Sequence, residues 1–233
     1  RRILAWKDFI PEFLRFPLML LIIVIYMLSG GVYMSAVTEI SGSLSWIKED
    51  ILMAGYASMT GLTIAFPLLF RILFRLPTRS ILLVSAVVFI VCDYVCMVCQ
   101  YLPLVVLMSF ISGFFRILST FVCWSNLQLR ITPNRDFAVF FPFLFTVILG
   151  SVQLTDIVTG YSISAFDWRA MHRLTIGAFI VVFALVYFCM RRGYRQAPYI
   201  PFKGIDYLGG ILWSLWLLCI IFICVYGEHY DWL

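Results

Sequence analysis

Seven long apolar runs, separated by short polar segments, dominate the pattern of hydrophobic and polar positions along the chain. Runs such as PLMLLIIVIYML and FIVVFALVYFCM are continuously apolar, whereas barrel strands in a membrane alternate between apolar and polar residues. A helix needs roughly 20 apolar residues to cross a lipid core of about 30 Å. The pattern therefore predicts seven membrane-spanning helices, approximately at residues 17–38, 51–74, 80–99, 103–127, 137–160, 168–190 and 205–227.

Composition argues against a soluble globular protein. Hydrophobic residues make up 63% of the chain and charged residues 12%, whereas soluble domains contain about 25% charged residues. Cys92, Cys96 and Cys99 share one predicted span, but no histidine accompanies them, and we interpret them as small apolar residues. We therefore expect an integral membrane protein in contact with a lipid bilayer, with no metal and no other cofactor.

Basic residues fall almost entirely on one side of this predicted topology. If the amino end is cytoplasmic, the outer loops contain only Lys48 and Arg169. The cytoplasmic segments then contain thirteen basic residues: Arg1, Arg2, Lys7, Arg15, Arg71, Arg75, Arg79, Arg130, Arg135, Arg191, Arg192, Arg195 and Lys203. This asymmetry predicts a cytoplasmic amino end and a multi-pass protein of the cell inner (plasma) membrane. Because the net charge of +5 is spread over four such segments, we expect no nucleic-acid partner.

The connection after the sixth span, RRGYRQAPYIPFKG, is longer than the others and rich in proline, glycine and basic residues. It predicts a boundary after a six-helix unit. We therefore expect a cytoplasmic amino-terminal segment at 1–15, a six-helix bundle at 16–190, a cytoplasmic linker at 191–204 and a seventh span at 205–233. Because the sequence stops directly after this span, at YGEHYDWL, we expect further carboxy-terminal helices of the same protein.

Several motifs carry a family resemblance over nearly the whole chain. The stretch IDYLGGILWSLWLLCIIFICVYGEHYDWL, with Asp206, Tyr207, Gly209, Gly227 and Trp232, resembles the helix that follows the first six in the fourteen-helix drug:proton antiporter branch of the major facilitator superfamily. The stretches AVTEISGSL, GYASMTGLTIAFPLLFRILFRLPTRSILL and FDWRAMHRLTI resemble further parts of that family, in the same order. The resemblance implies an all-α, six-helix amino-terminal bundle plus one linker helix. It also implies a secondary transporter that exports hydrophobic small molecules, with proton antiport, by alternating access.

The loop after the second span departs from the family pattern. Its acidic residue is missing, and Phe70, Phe74 and Pro77 lie in that region. The basic character remains, because Arg71, Arg75 and Arg79 recur at a spacing of four. We interpret these three arginines either as ordinary cytoplasmic topology signals or as a gating loop that holds the inner face closed.

The fourth and fifth spans also depart from the family. Ser109 occupies the place of the family's arginine, and Arg116 lies seven residues later, which is close to two helical turns and therefore on nearly the same face. In SVQLTDIVTG, Thr155 and Asp156 occupy the places of a glycine and of the helix-bending proline of the antiporter motif.

Asp93, Arg116 and Asp156 are the clearest charges inside the predicted spans. A charge at the centre of a bilayer costs about 3 kcal/mol, so such residues usually face the protein interior or water. By the resemblance, Arg116 and Asp156 line the central cavity, whereas Asp93 belongs to a more peripheral helix. We interpret the three as residues for substrate binding or proton coupling, and the alternative is a charge pair that only holds helices together. Our hypothesis is that Arg116 binds an anionic or polar group of the substrate with Asp156 as its resting partner, through a direct or a water-bridged contact. Pairing of Arg116 with Asp93 is the other option.

Other polar and aromatic residues carry weaker signals. His172 and His229 lie at the outer ends of spans, and we interpret both as interfacial. The aromatic residues that are candidates to line a cavity are Tyr26, Tyr33, Tyr56 and Trp124. The small residues Ser29, Gly30, Gly31 and Ser35 indicate close packing of the first span or a flexible cavity wall.

The alternative to a transporter is a seven-helix receptor or another non-transporting membrane protein. A cytoplasmic amino end argues against the receptor, and the seventh span has no lysine for a retinal Schiff base. The spans contain no histidine-rich metal set, no Gly-x-Ser motif with a neighbouring histidine and no paired aspartate signature. We therefore expect no enzymatic activity.

Overall fold

The computed structural model describes residues 5–132, 136–195 and 206–232. In these ranges the chain forms nine helices, and the β pairing consists of one bridge between Trp6 and Met190. The helices are α1 (Glu12–Leu28), α2 (Val32–Ser35), α3 (Val37–Leu44), α4 (Lys48–Arg75), α5 (Thr78–Val98), α6 (Leu102–Ile131), α7 (Phe137–Ala165), α8 (Arg169–Cys189) and α9 (Tyr207–Tyr226). The prediction of an all-helical fold is confirmed. The predicted basic residues Arg1, Arg2, Arg135 and Lys203, and most of the predicted linker, lie outside the described ranges.

Six helices, α4 to α9, are long and apolar enough to cross a membrane. They correspond to the second to seventh predicted spans, and the protein is therefore a multi-pass membrane protein. Several of these helices are longer than their predicted apolar runs; α6, for example, has 30 residues. Polar residues extend these helices because the backbone hydrogen bonds of a helix continue beyond the apolar segment.

The first predicted span differs from the prediction, because residues 17–38 do not form one continuous helix. α1 ends at Leu28, and the short α2 and α3 follow after interruptions at residues 29–31 and at Ala36. The hydroxyl of Ser29 donates to the carbonyl of Tyr26, 2.8 Å away, and the two following glycines have low helix propensity. The 17 residues of α1 extend about 26 Å, so α1 alone is shorter than a lipid core.

The core between α1, α5 and α8 is aromatic. The rings of Tyr26, Phe89 and Phe179 are fully buried, and their centroids lie 4.7 to 5.4 Å apart. The hydroxyl of Tyr26 donates to the carbonyl of Leu82 at 3.0 Å, so its polar atom is satisfied inside the core. From the sequence, Tyr26 was a candidate to line a cavity. In the structure it is instead packed in the aromatic core.

α4 and α6 cross with their backbones in contact. A Cβ atom added at Gly113 would lie 1.8 Å from the carbonyl oxygen of Ser58, and one added at Gly61 would lie 1.9 Å from the carbonyl oxygen of Phe110. Neither position has room for a side chain. Close approach of small residues is a common way to pack membrane helices, because lipid supplies no hydrophobic force between them.

Several basic residues meet at one end of the bundle. Arg191 is paired with Asp8, and Nη2 of Arg79 donates to the carbonyl of Tyr187 at 2.7 Å. The amino-terminal segment, the α4–α5 loop and the end of α8 therefore lie together. This grouping agrees with the loop assignment from the sequence, and the cytoplasmic position of this end stays a prediction.

α9 packs against α4 and buries little of its own surface. At one end Gly210 lies against Pro67, and at the other the hydroxyl of Tyr226 donates to the carboxylate of Asp50. The side chain of Asp206 caps the start of α9 by accepting a hydrogen bond from the backbone of Gly209 at 2.7 Å. The seventh predicted span is thus a helix attached to the side of the bundle.

Candidate functional site

Arg116 lies near the middle of α6 and reaches the interruption between α1 and α2. Its guanidinium group lies directly over Gly30, because a Cβ atom added there would be 2.0 Å from Nη1. Nη2 donates to the hydroxyl of Ser58 at 2.9 Å. α1 ends at Leu28, two residues before this contact, and the negative end of a helix dipole stabilises a cation. The interrupted first span therefore provides the place where Arg116 is held.

A small cavity of about 20 Å³ lies beside Arg116, and this volume is sufficient for about one water molecule. Its lining comes from the α1–α2 junction, α2, α4, α5, α6 and α8. The titratable or charged residues on its wall are Tyr33, Cys92, Asp93, Cys96, Arg116 and His172, and the hydroxyls of four serines complete its polar surface. The cavity thus combines a cation, a carboxylate and an imidazole in the interior of the bundle, and we name it the polar cavity.

Asp93 on α5 and His172 on α8 form a pair inside the polar cavity. Oδ1 of Asp93 and Nδ1 of His172 lie 3.4 Å apart, and the two residues are 6% and 2% exposed. This separation suits an ion pair but is long for a hydrogen bond. Among the described residues, neither Oδ2 of Asp93 nor either ring nitrogen of His172 has a hydrogen-bond partner. Both side chains therefore keep free capacity for a proton or a small polar ligand.

The interpretation of His172 as an interfacial residue is wrong. The ring of Tyr33 lies 5.8 Å from the imidazole, and the ring of Trp168 lies 5.8 Å away in an edge-on arrangement. These two aromatic rings cover the histidine although it lies in the first turn of α8. One feature could have indicated that His172 is buried. Asp93 lies five residues before the end of α5, at a depth similar to that of His172 near the start of α8, so the two side chains could form a pair.

Asp156 lies outside the polar cavity. It is exposed on α7, and Oδ1 accepts a hydrogen bond from the hydroxyl of Ser35 at 2.6 Å. In the part of the chain that the structure describes, no ion pair joins Asp156 to Arg116. Of the pairings considered from the sequence, the direct contact is therefore absent from this conformation, and Asp93 is the carboxylate that shares a cavity with Arg116. The role of Asp156 at a central cavity stays a prediction.

The predicted gating arginines lie together at the basic end of the bundle. Arg71 and Arg75 are in the last two turns of α4, and Arg79 is in the first turn of α5. The Arg79 guanidinium lies 4.8 Å from the centre of the Tyr187 ring and donates to the Tyr187 carbonyl. This carbonyl is in the last turn of α8, where backbone acceptors lack helical partners. Arg79 thus links the start of α5 to the end of α8.

A second, larger cavity of about 360 Å³ lies between α1, α4, α6 and α7. Its walls are mainly aromatic and aliphatic, and they include Phe66, Phe121, Trp124 and Phe140. Nε1 of Trp124 is buried and has no hydrogen-bond partner among the described residues. We name this space the aromatic cavity. Trp124 was a cavity candidate from the sequence, whereas the phenylalanines carried no signal in a chain with 18% aromatic residues.

Arg116 lies between the two cavities along α6. Ser109 and Ser112 precede it on the wall of the polar cavity, and Thr120 follows it on the wall of the aromatic cavity. The Thr120 hydroxyl donates to the Arg116 carbonyl at 2.8 Å. Arg116 and Thr120 are thus one helical turn apart on α6.

No family model matches the chain, and no curated protein matches it. The family therefore stays a prediction from the motif resemblance. In the described ranges, no three His, Cys, Asp or Glu side chains form a group that could hold a metal ion.

Proposed function

We propose that the protein is a secondary transporter of the major facilitator superfamily type, which exports hydrophobic small molecules across the inner (plasma) membrane by alternating access. The observation that carries this proposal is the placement of Arg116 against the interruption of the predicted first span, between α1 and α2. Interrupted helices line substrate and ion sites in many transporters. A charge near the middle of a membrane helix is costly, which favours a functional reason for its presence.

The substrate class follows from the two cavities. A volume of about 360 Å³ lies within the range of small-molecule sites, which are mostly apolar with a few polar groups. The free indole N–H of Trp124 supplies a hydrogen-bond donor in an aromatic wall, and Arg116 on the same helix supplies a positive charge in the polar cavity. We therefore propose an apolar, aromatic substrate that carries an anionic or polar acceptor group.

Two permanently charged probes test the function. Full-length protein in lipid vesicles is given radiolabelled 1-naphthalenesulfonate or tetraphenylphosphonium, and the exchange that exceeds the rate in protein-free vesicles is measured for each probe. We expect exchange of the sulfonate to exceed that of the phosphonium, because the cation Arg116 attracts an anion. Faster exchange of the phosphonium would contradict the role of Arg116, and no exchange of either probe would contradict the transport proposal.

Replacing Trp124 by alanine is expected to weaken binding of 1-naphthalenesulfonate by roughly tenfold. This corresponds to ~1.4 kcal/mol of lost aromatic contact. Equilibrium dialysis with the labelled probe measures the change. Trp213→Ala is the matched control, because Trp213 is 52% exposed on α9 and does not line the aromatic cavity. Equal affinity of both variants would show that the substrate lies elsewhere.

Replacing Gly30 by alanine is expected to reduce sulfonate exchange by about tenfold while the protein remains folded. The new methyl group would occupy the position of the Arg116 guanidinium. Because the guanidinium is the end of a flexible side chain, it can move away without a shift of the helix backbone, and the fold is retained. Exchange and the melting temperature are measured together. Gly150→Ala is the control, because nothing lies within 4 Å of a Cβ atom added there. If Gly30→Ala exchanges the sulfonate at the wild-type rate, the position of the Arg116 guanidinium over Gly30 is not needed for transport.

A further inference from the structure

We propose that Trp124 and Gln128 form a polar pair that selects substrates in which a neutral acceptor lies next to a donor, as in an aromatic lactam or amide. Both residues lie on the wall of the aromatic cavity. This inference rests on the proposed transport function and names the polar group of the substrate that this cavity recognises.

The polar side chains of the aromatic cavity all come from one helix. In the described part of the chain, its wall carries no charged side chain, and α1, α4 and α7 contribute only apolar residues to it. The residues with polar side-chain atoms are on α6: Thr120, Trp124, Ser125 and Gln128. Because this wall is neutral, a ligand in the cavity is oriented by hydrogen bonds to α6 and not by a charge.

Two of these four side chains already have backbone partners. The hydroxyl of Thr120 donates to the carbonyl of Arg116, and the hydroxyl of Ser125 donates to the carbonyl of Phe121, each at 2.8 Å. Such bonds within one helix satisfy the hydroxyl donor. The two hydroxyls are therefore engaged, and the other two side chains supply the groups that can bind a ligand.

The indole of Trp124 is a fixed donor. Trp124 is 6% exposed, and the rings of Phe140 and Phe143 lie edge-on to it, with each centroid 6.1 Å away. This packing holds the orientation of the indole. Its Nε1 is buried without a hydrogen-bond partner among the described residues, although buried polar atoms are rarely left so. An acceptor group on a ligand in the cavity would satisfy this N–H.

Gln128 adds an acceptor beside that donor. It lies four residues after Trp124, one helical turn farther along the same face of α6. Helical side chains lean toward the amino end of their helix, so we expect the Gln128 amide to reach toward the turn that carries the indole. An amide has a carbonyl acceptor as well as N–H donors, whereas an indole only donates. Together they match a ligand whose carbonyl accepts from Trp124 and whose adjacent N–H donates to Gln128.

Two bicyclic probes of nearly the same shape test this pair. 2-Quinolinone presents a carbonyl beside an N–H, and coumarin has a ring oxygen in place of that N–H and cannot donate. Binding of each radiolabelled probe to the full-length protein in lipid nanodiscs is measured by equilibrium dialysis, and the uptake by protein-free nanodiscs is subtracted. We expect the wild type to bind 2-quinolinone roughly fivefold to tenfold more tightly than coumarin, as one net hydrogen bond implies.

Substitutions separate the two hydrogen bonds. Gln128→Leu removes the acceptor at similar size, so the preference for 2-quinolinone over coumarin should fall to within about twofold, whereas Gln128→Glu keeps an acceptor oxygen and should retain the preference. Trp124→Phe keeps an aromatic ring without the N–H, so both probes should lose about fivefold in affinity. Gln153→Leu is the matched control, because Gln153 is exposed on α7 and does not line the aromatic cavity.

The outcomes distinguish the possible failures. Equal affinity of the wild type for the two probes would overturn the polar pair, and so would a preference that persists in Gln128→Leu. Failure of both probes to bind, with a monodisperse protein on gel filtration, would also overturn it. Dialysis measures binding without transport, so these results are independent of 1-naphthalenesulfonate exchange in vesicles, whose absence would contradict the proposed function itself.

Discussion

Replacing Gly113 by alanine is expected to lower the free energy of unfolding by roughly 3 kcal/mol, at the upper end of the usual cost of overpacking. The added methyl carbon would lie 1.8 Å from the carbonyl oxygen of Ser58 and 2.7 Å from its carbonyl carbon. Both atoms belong to the backbone of α4, so relief requires the two helices to move apart. Titration with sodium dodecyl sulfate in mixed micelles, followed by circular dichroism, measures the loss.

A matched glycine provides the control for this prediction. Gly177 on α8 has nothing within 4 Å of an added Cβ atom, so Gly177→Ala is expected to leave stability unchanged or to raise it by up to about 1 kcal/mol through helix propensity. If Gly113→Ala and Gly177→Ala are equally stable, α4 and α6 are not in backbone contact at this point. Because Gly113 and Arg116 share one face of α6, the same contact also sets the position of the Arg116 guanidinium against Ser58.

The helical architecture could be predicted because it depends on local patterns. Continuous apolar runs predict membrane helices, since every backbone group in lipid must find a hydrogen bond within its own helix. Six of the seven predicted spans correspond to helices that are long and apolar enough to cross a membrane. The interruption of the first span was harder to predict. Ser29, Gly30 and Gly31 were visible as small residues, but the Arg116 side chain that lies over Gly30 comes from a residue 86 positions later in the sequence.

The candidate site was predicted only in part, because the neighbours of a buried charge come from helices that are distant in the sequence. The sequence identified Asp93 and Arg116 because an isolated charge in an apolar run is conspicuous. It ranked Asp156 above Asp93, because the helix arrangement of the family places the fifth helix at the central cavity. The neighbours of each charge depend on helix rotation, which side-chain packing determines. The burial of His172 likewise depends on Tyr33, a residue on a different helix.

Replacing Arg116 by glutamine is expected to reduce 1-naphthalenesulfonate exchange by at least tenfold. Hydrogen bonds to a charged group contribute about 1.5–3 kcal/mol, and the variant loses both the charge and the planar set of donors. Arg116→Lys keeps the charge but not the fork, so we expect an intermediate rate. Arg173→Gln is the matched control, because Arg173 pairs with Asp167 at the surface, where the two side chains are 54% and 47% exposed.

A double variant separates a substrate-binding role from the alternative that Arg116 only holds helices together. Arg116→Gln alone removes the guanidinium that shares the polar cavity with the Asp93 carboxylate, which is expected to lower the free energy of unfolding, because a buried charge loses an attractive neighbour. Adding Asp93→Asn removes that unbalanced charge, so most of the stability should return. If Arg116 only stabilises the bundle, counterflow of the sulfonate should return with the stability. If Arg116 binds the substrate, the double variant should be stable and still inactive, because neither glutamine nor asparagine carries the positive charge that attracts the anion.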